Sequence, residues 1–234
     1  MRIHGMTVCV NYADILAHGL SRWLGGLDGL LVVTTPGDKA TEELLQGTMA
    51  KRFQTNAFYE DGAAFNKGRA MAEAVECMPW TDWLLFFDAD VVPPQDWRRI
   101  VTLSDPKPGL LHGASRVMCT GPEQIDAQGL PLVTIDGTGV GFFQLVHASD
   151  PALKARPVFE TDWLHAGNYD NGFMARWPHK LRRRLPLTLY HIGPRDQWFG
   201  RGNDAAFDAM QAERKRRGGH WQHERVCVPS EVRR

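Results

Sequence analysis

The sequence predicts an α/β protein with a mostly parallel sheet and helices on both faces. In the first half, short apolar runs alternate with segments whose apolar residues recur at helical spacing. The run at residues 83–87 carries no charge and is rich in aromatic residues, which is typical of a strand buried on both faces. Such alternation predicts a doubly wound sheet in which the loops after the parallel strands share one edge.

The first half is predicted to open with a strand at residues 6–10 and a helix at about 14–24, which Gly25 and Gly26 end. The elements that follow are a strand at 30–33, a short helix at 42–45, a strand around Phe53, a helix that opens at 65–71 and the strand at 83–87.

The second half has more Gly, Pro and aromatic residues and a less regular alternation. Strands are predicted at residues 110–116, 140–146 and 187–191, with a loop or hairpin at 121–139. We expect one domain over residues 1–234.

Composition limits the class of protein. Hydrophobic residues make up 43% of the chain and charged residues 23%, which argues against both disorder and a membrane class. No apolar run approaches the roughly 20 residues of a membrane span, and the N-terminus lacks the pattern of a signal peptide. The four cysteines lie far apart without Cys-x-x-Cys spacing. A cytoplasmic protein with reduced thiols is therefore expected, in the host cytoplasm if the chain is viral.

The net charge of zero conceals an asymmetry. Residues 1–175 contain 13 Lys and Arg against 21 Asp and Glu, whereas residues 176–234 contain 14 against 6. A basic C-terminal quarter is compatible with a phosphate, nucleic-acid or acidic partner, although a solvated surface is the more common explanation.

Two carboxylates one residue apart, Asp88 and Asp90, follow the apolar run at 83–87, and Pro93 and Pro94 end the stretch. Ligands bind at the carboxyl edge of open α/β sheets, and paired aspartates there can hold a hard divalent cation. The alternative is a strand-to-turn junction in which both side chains bond loop amides.

The same edge would collect Asn11, Tyr12 and Asp38, which follow the first two strands. Neither Gly-x-Gly-x-x-Gly nor Gly-x-x-x-x-Gly-Lys-Ser/Thr is present, so a bound nucleotide must rely on metal and side chains for its phosphates. Asp170 and His191 are further candidates, each with an ordinary structural explanation: a helix cap for the aspartate and a core hydrogen bond for the histidine.

The order of these motifs resembles the metal-dependent nucleotide-sugar glycosyltransferases with the GT-A fold, whose sheet is Rossmann-like. The resemblance rests on Asn66-Lys67-Gly68-Arg69, Asp88-Ala89-Asp90, Ala166-Gly167-Asn168-Tyr169-Asp170 and Tyr190-His191. It implies a nucleotide-sugar-binding half at residues 1–105, an acceptor and catalytic half at 106–200 and a basic tail at 201–234.

The resemblance also implies a role for each candidate. Asp90 and His191 would bind Mn²⁺ or Mg²⁺, Asp88 would contact the metal or the ribose, and Asp170 would be the base of an inverting transfer. The donor, a UDP-sugar, would be held at its base and ribose by Asn11, Tyr12 and Asp38. Negative charge builds on the leaving phosphate as the sugar bond breaks, and the candidates for auxiliary contacts to it are Lys67, Arg69, Arg195 and Arg201, each with a surface charge as the more common explanation. Glu160 and Asp162 are rival bases, because Asn168-Tyr169 stands where the family often has acidic residues.

Alternatives remain open from the sequence alone. A nucleotidyltransferase also places carboxylates on a metal at a sheet edge, but it usually carries a Gly-rich phosphate loop. A non-catalytic glycan or nucleic-acid binding module could keep the same fold without turnover. The acceptor would be a glycan or, given the basic C-terminal quarter, a hydroxymethylated base in DNA that is flipped out of the duplex.

Overall fold

The computed structural model describes residues 1–128, the backbone of 132–133, and residues 141–163, 166 and 169–192. The helices are α1 Ala13–Leu24, α2 Lys39–Leu45, α3 Lys67–Ala74, α4 Trp97–Leu103 and α5 Tyr169–Ala175. The strands are β1 Ile3–Val8, β2 Gly29–Thr34, β3 Lys51–Gln54, β4 Trp83–Asp88, β5 Val91–Val92, β6 Leu111–Cys119, β7 Leu132–Val133, β8 Phe143–His147 and β9 Arg182–Ile192.

Within these residues the strands form one nine-stranded sheet in the order β3-β2-β1-β4-β8-β6-β9-β5, with β7 paired to β6. The block β3-β2-β1-β4 is parallel throughout. Strand β8 then pairs antiparallel with β4, and β9 runs parallel to β6. The predicted α/β class is therefore confirmed, and the parallel block carries the edge at which the candidate residues were expected.

Alternate residues of each central strand pack into different cores. Leu84 and Phe86 of β4 face a core that includes α3 and α5, whereas Leu85 and Phe87 face a core that includes α1 and α4. Helices consequently cover both faces of the sheet, as the uncharged run at residues 83–87 predicted.

Three elements differ in detail from the prediction. Helix α4 was not predicted, although the side chains of Trp97 and Val101 are buried on one side of it. The stretch after Asp90 continues as strand β5 before Pro93. Strand β9 begins at Arg182, so that the arginines at 182–184 belong to the sheet as well as to the basic quarter of the sequence. None of the described helices has the length and hydropathy of a membrane span.

Candidate active site

The carboxyl ends of β1, β2 and β4 lie side by side. Val8 pairs with Asp88 on one side and with Val33 on the other, which brings the loops after the three strands to one edge. The backbone N–H of Asp88 also donates to the carbonyl of Phe142, 3.4 Å away, just ahead of β8. The candidate residues of both halves of the chain therefore meet at this edge.

Asp90 and His191 are brought together by the pairing of β5 with β9. Val91 lies opposite His191, and the N–H of Ile192 donates to the carbonyl of Asp90 at 2.9 Å. As a result His191 Nε2 lies 3.3 Å from Asp90 Oδ2. Within the described part of the chain, Asp90 Oδ1 and His191 Nδ1 are buried without a hydrogen-bond partner. Two residues about 100 positions apart thus form one polar pair with unused donor and acceptor capacity.

Asp88 is engaged differently, because the ammonium group of Lys67 forms an ion pair with its Oδ1 atom. The pair is largely enclosed, with 12% of the lysine side chain and 27% of the aspartate side chain exposed. Burial works to raise the pKa of Asp88, but the charge and hydrogen bond of Lys67, together with the charges of His191 and Arg116, lower it. Burial works to lower the pKa of Lys67, but Asp88 and Tyr169 together raise it above its usual value.

The start of α3 holds Lys67 in this position. Asn66 is fully buried; its Oδ1 accepts from the N–H of Arg69 at 2.9 Å, and its Nδ2 donates to the carbonyl of Thr161 at 2.8 Å. A Cβ atom on Gly68 would lie 2.0 Å from the carbonyl oxygen of Glu160. Only a glycine therefore allows α3 to approach the chain at residue 160 this closely.

Asp170 is the second residue of α5, where the backbone N–H of Gly141 donates to its Oδ2 at 3.2 Å. Burial raises the pKa of Asp170 and the negative charge of Asp88 adds to this, while Lys67 and two backbone N–H groups partly offset the rise. A carboxylate with a raised pKa is suited to general-base work near neutral pH. Enclosure and the negative charge of Asp88 therefore both favour the protonated form of Asp170.

Arg116 is a residue that the sequence did not single out. It lies on β6, its guanidinium carbon is 4.7 Å from the centroid of the Phe142 ring, and its charge contributes to the lowered pKa of Asp88. The strand was predicted, but strand periodicity alone does not tell which of its residues faces the aspartate pair. The charges of Lys67 and Arg116 thus both act on Asp88.

Asp38 joins the ends of β1 and β2. Its carboxylate caps α2 through the N–H of Thr41 at 3.1 Å and accepts from the N–H of Asn11 at 2.9 Å and from the hydroxyls of Thr34 and Thr41 at 2.9 and 2.8 Å. Burial tends to raise the pKa of Asp38, but these hydrogen bonds lower it. Asn11 itself has a positive φ of 53°, and Tyr12 is half-buried at the start of α1. Asp38 thus shapes the loop that carries Asn11 and Tyr12.

The other predicted candidates have varied surroundings. Arg69 forms an ion pair with Asp61 at 2.7 Å, and Glu160 accepts from the indole N–H of Trp163 at 2.7 Å. Asp162 is exposed, and the hydroxyl of Thr161 lies 3.4 Å from its Oδ1 atom. Arg195, Arg201 and the predicted basic tail at 201–234 lie outside the described residues.

The residues present fit a Mn²⁺ or Mg²⁺ ion that draws most of its ligands from substrate and water. Asp90 offers a buried carboxylate oxygen with no hydrogen-bond partner among the described residues, and the imidazole of His191 lies beside it. No group of three His, Cys, Asp or Glu side chains in the described ranges converges as in a site made of protein ligands alone. Magnesium commonly takes only one or two carboxylates and completes its shell with waters and substrate phosphates.

The chain has the GT-A fold of nucleotide-sugar transferases. The crystal structure of S. aureus TarS residues 1–349 in complex with UDP-GlcNAc is similar to it, with a TM-score of 0.59 and 11% identity over 86% of this chain. The complex of the same TarS fragment with UDP matches with a TM-score of 0.53 and 12% identity over 82% of this chain.

This chain spans 61% of the TarS fragment in the first comparison and 60% in the second. No protein-family model matches the sequence, and no curated protein is significantly similar to it. The structural likeness establishes the fold, and the function has to be argued from the site.

Proposed function

We propose that the chain is a glycosyltransferase that moves a sugar from a nucleotide-diphosphate donor, preferably a UDP-sugar, to an acceptor hydroxyl. The transfer inverts the configuration at the anomeric carbon of the sugar. The observation that carries the proposal is that the Asp90–His191 pair and the Lys67–Asp88 ion pair, with Asp170 within their electrostatic influence, lie at the carboxyl edge of a GT-A sheet. Ligands of open α/β folds bind at this edge.

The chemistry calls for a cationic surface on one side of the reacting sugar carbon. When the bond from the sugar to the diphosphate breaks, negative charge accumulates on the leaving phosphate. Lys67 and Arg116 supply two positive charges beside Asp88. Both are candidates for charge-assisted hydrogen bonds to the diphosphate.

A carboxylate is needed on the acceptor side. Asp170 takes the proton of the attacking hydroxyl, and its raised pKa makes it a stronger base than an exposed aspartate. Glu160 is the less suitable rival, because its carboxylate already accepts from Trp163 and lies against Gly172. Asp162 lacks the enclosed surroundings that raise the pKa of Asp170.

The metal completes the donor site. A bound Mn²⁺ or Mg²⁺ supplies Lewis-acid stabilisation of the diphosphate. Asp90 and His191 would hold it, and Asp88 is the third candidate ligand.

Release of UDP from a panel of UDP-sugars with Mn²⁺ tests the proposal, with and without acceptors that include glycans and DNA containing hydroxymethylated bases. We expect UDP release from at least one donor and a fall of about 10²–10⁴ in transfer for Asp170→Asn. Donor binding should survive that substitution. Asp162→Asn is the matched control and should retain transfer. If no nucleotide sugar is bound or turned over, the proposed function is wrong; if Asp162→Asn loses transfer and Asp170→Asn does not, the base is misassigned.

A nucleotidyltransferase on the same fold would instead make a nucleotide diphosphate sugar from a nucleoside triphosphate and a sugar phosphate. It would release no UDP from the panel of UDP-sugars, but it would release pyrophosphate when UTP and a sugar 1-phosphate replace the UDP-sugar. A non-catalytic binding module would bind a ligand and release neither product.

A further inference from the structure

The ion pair between Lys67 and Asp88 lies inside the site where the metal is expected. The lysine ammonium contacts Asp88 Oδ1 and sits 4.9 Å from the centroid of the Tyr169 ring, so that a carboxylate and an aromatic face enclose it. Only 12% of the lysine side chain is exposed. An exposed lysine would cost little to displace from a carboxylate, whereas this one has exchanged most of its hydration for two protein partners.

The backbone of Lys67 is held in place, so that a backbone movement cannot easily separate the ammonium from Asp88. Asn66 caps α3 and bonds to the carbonyl of Thr161, and Gly68 lies against the carbonyl of Glu160. Movement of the ammonium is therefore left to the side-chain torsions of Lys67. Any new position must offer it another anion, because an unpaired buried charge is strongly unfavourable.

A divalent cation at Asp90 and His191 would meet this ammonium at Asp88, two residues away along the chain. Like charges at close range repel strongly in a partly buried site. The metal and Lys67 therefore compete for the same carboxylate. A diphosphate removes the conflict, since its oxygens can receive the ammonium and also complete the shell of the metal.

We propose that Lys67 is a positioning residue that occupies Asp88 until the donor diphosphate arrives, so that the cation and the nucleotide bind cooperatively. The inference rests on the proposed function in that it takes a nucleoside diphosphate as the ligand. Repulsion between the ammonium of Lys67 and a metal cation makes Asp88 a poor ligand for the metal alone. The diphosphate makes Asp88 a good ligand, because it takes the ammonium away from the carboxylate. Binding of either ligand then raises the affinity for the other by the same factor.

Binding of Mn²⁺, followed by the electron paramagnetic resonance signal of the free ion, measures this coupling without any turnover. In the wild-type protein, saturating UDP should raise the Mn²⁺ affinity by a factor within the range of about 5–150 that is usual for coupled sites. In Lys67→Met, Mn²⁺ alone should bind at least about tenfold more tightly than in the wild type, and UDP should add less. Methionine keeps an unbranched chain against the Tyr169 ring without the charge.

Two further variants separate charge competition from structural effects. Lys67→Arg keeps the positive charge and should keep the weak binding of Mn²⁺ alone. Lys154→Met removes one positive charge from an exposed lysine elsewhere on the chain and should behave as the wild type. Thermal unfolding of each variant reports whether it is folded under the conditions of the titration.

Equal affinity of the wild type and Lys67→Met for Mn²⁺ alone, including no detectable binding to either, would overturn the inference. So would an effect of UDP on Mn²⁺ affinity that is present in the wild type and equally large in the methionine variant. Failure of the proposed function has a different signature: Mn²⁺ alone would bind Lys67→Met more tightly than the wild type, but UDP would change neither affinity.

Discussion

Replacement of Gly68 by alanine tests the contact that places Lys67 in the site. The new Cβ would lie 2.0 Å from the carbonyl oxygen of Glu160 and 3.1 Å from Cβ of Tyr169. A carbon and a carbonyl oxygen ordinarily approach no closer than about 3.3 Å. Helix α3 would therefore have to withdraw by roughly 1.3 Å, the difference between the two distances.

The cost has two parts and one offset. Overpacking costs about 1–3 kcal/mol, and loss of the bond from Asn66 to Thr161 across the same contact costs about 1–3 kcal/mol. Alanine returns about 1 kcal/mol through its higher helix propensity. The central expectation is a loss of about 3 kcal/mol, which corresponds to a fall in Tm of about 6–12 °C for a chain of this size.

Thermal unfolding followed by circular dichroism measures the effect, with Gly25→Ala as the matched control. Gly25 has helical backbone angles with φ of −64°, and a new Cβ there would lie 3.3 Å from the carbonyl oxygen of Ser21. Its substitution should change the free energy of unfolding by less than about 1 kcal/mol. If Gly68→Ala is as stable as the wild type, α3 does not pack against residue 160 as described.

Three further predictions concern the site. Asp170→Asn should raise the Tm at pH 7, because burial raises the pKa of Asp170 and makes ionisation of this carboxyl unfavourable in the folded state. The gain in Tm should vanish in acid, where the wild-type carboxyl is protonated in both the folded and the unfolded state. Thermal unfolding at several pH values measures this dependence. Asp38→Asn should lower the free energy of unfolding by about 1–3 kcal/mol. Because the pKa of Asp38 is lowered in the folded state, the loss of unfolding free energy should be full above the pKa of an unfolded aspartate, about 3.9. The loss should disappear as the pH falls through the pKa of Asp38 in the folded state. Denaturant titrations at several pH values measure it. Arg116→Gln should weaken UDP binding by about tenfold, the loss of one charge-assisted hydrogen bond, with calorimetric titration as the measurement; unchanged affinity would remove Arg116 from the donor site.

Much of the fold is readable from local sequence. The uncharged run at residues 83–87 became β4, and the helical spacing after Asp14 became α1. Strand β5 was missed because its two residues form a strand only by pairing with β9. Val91 lies opposite His191 in this pairing, which is a contact between distant parts of the chain. Helix α4 was not predicted, although Trp97, Ile100 and Val101 recur at helical spacing.

The candidate site was predictable by residue type and only partly by contact. Asp88, Asp90, Asp170 and His191 were singled out, and the structure describes all four at or beside the same sheet edge. The ion pair of Lys67 with Asp88 could not be predicted, because it depends on how α3 packs against the sheet. The roles of these residues as metal ligands, phosphate contacts and base remain predictions.

The sequence by itself determined the alternation of strands and helices, the double-sided burial of β4 and the presence of carboxylates after it, since these follow from side-chain periodicity and from which residues end a strand. The tertiary structure decided which carboxylate meets which cation. Strand pairing joined Asp90 to His191, and the close packing allowed by Gly68 joined Lys67 to Asp88. Such contacts arise between residues far apart in the chain, whose distances are set by register and packing and leave no local pattern in the sequence.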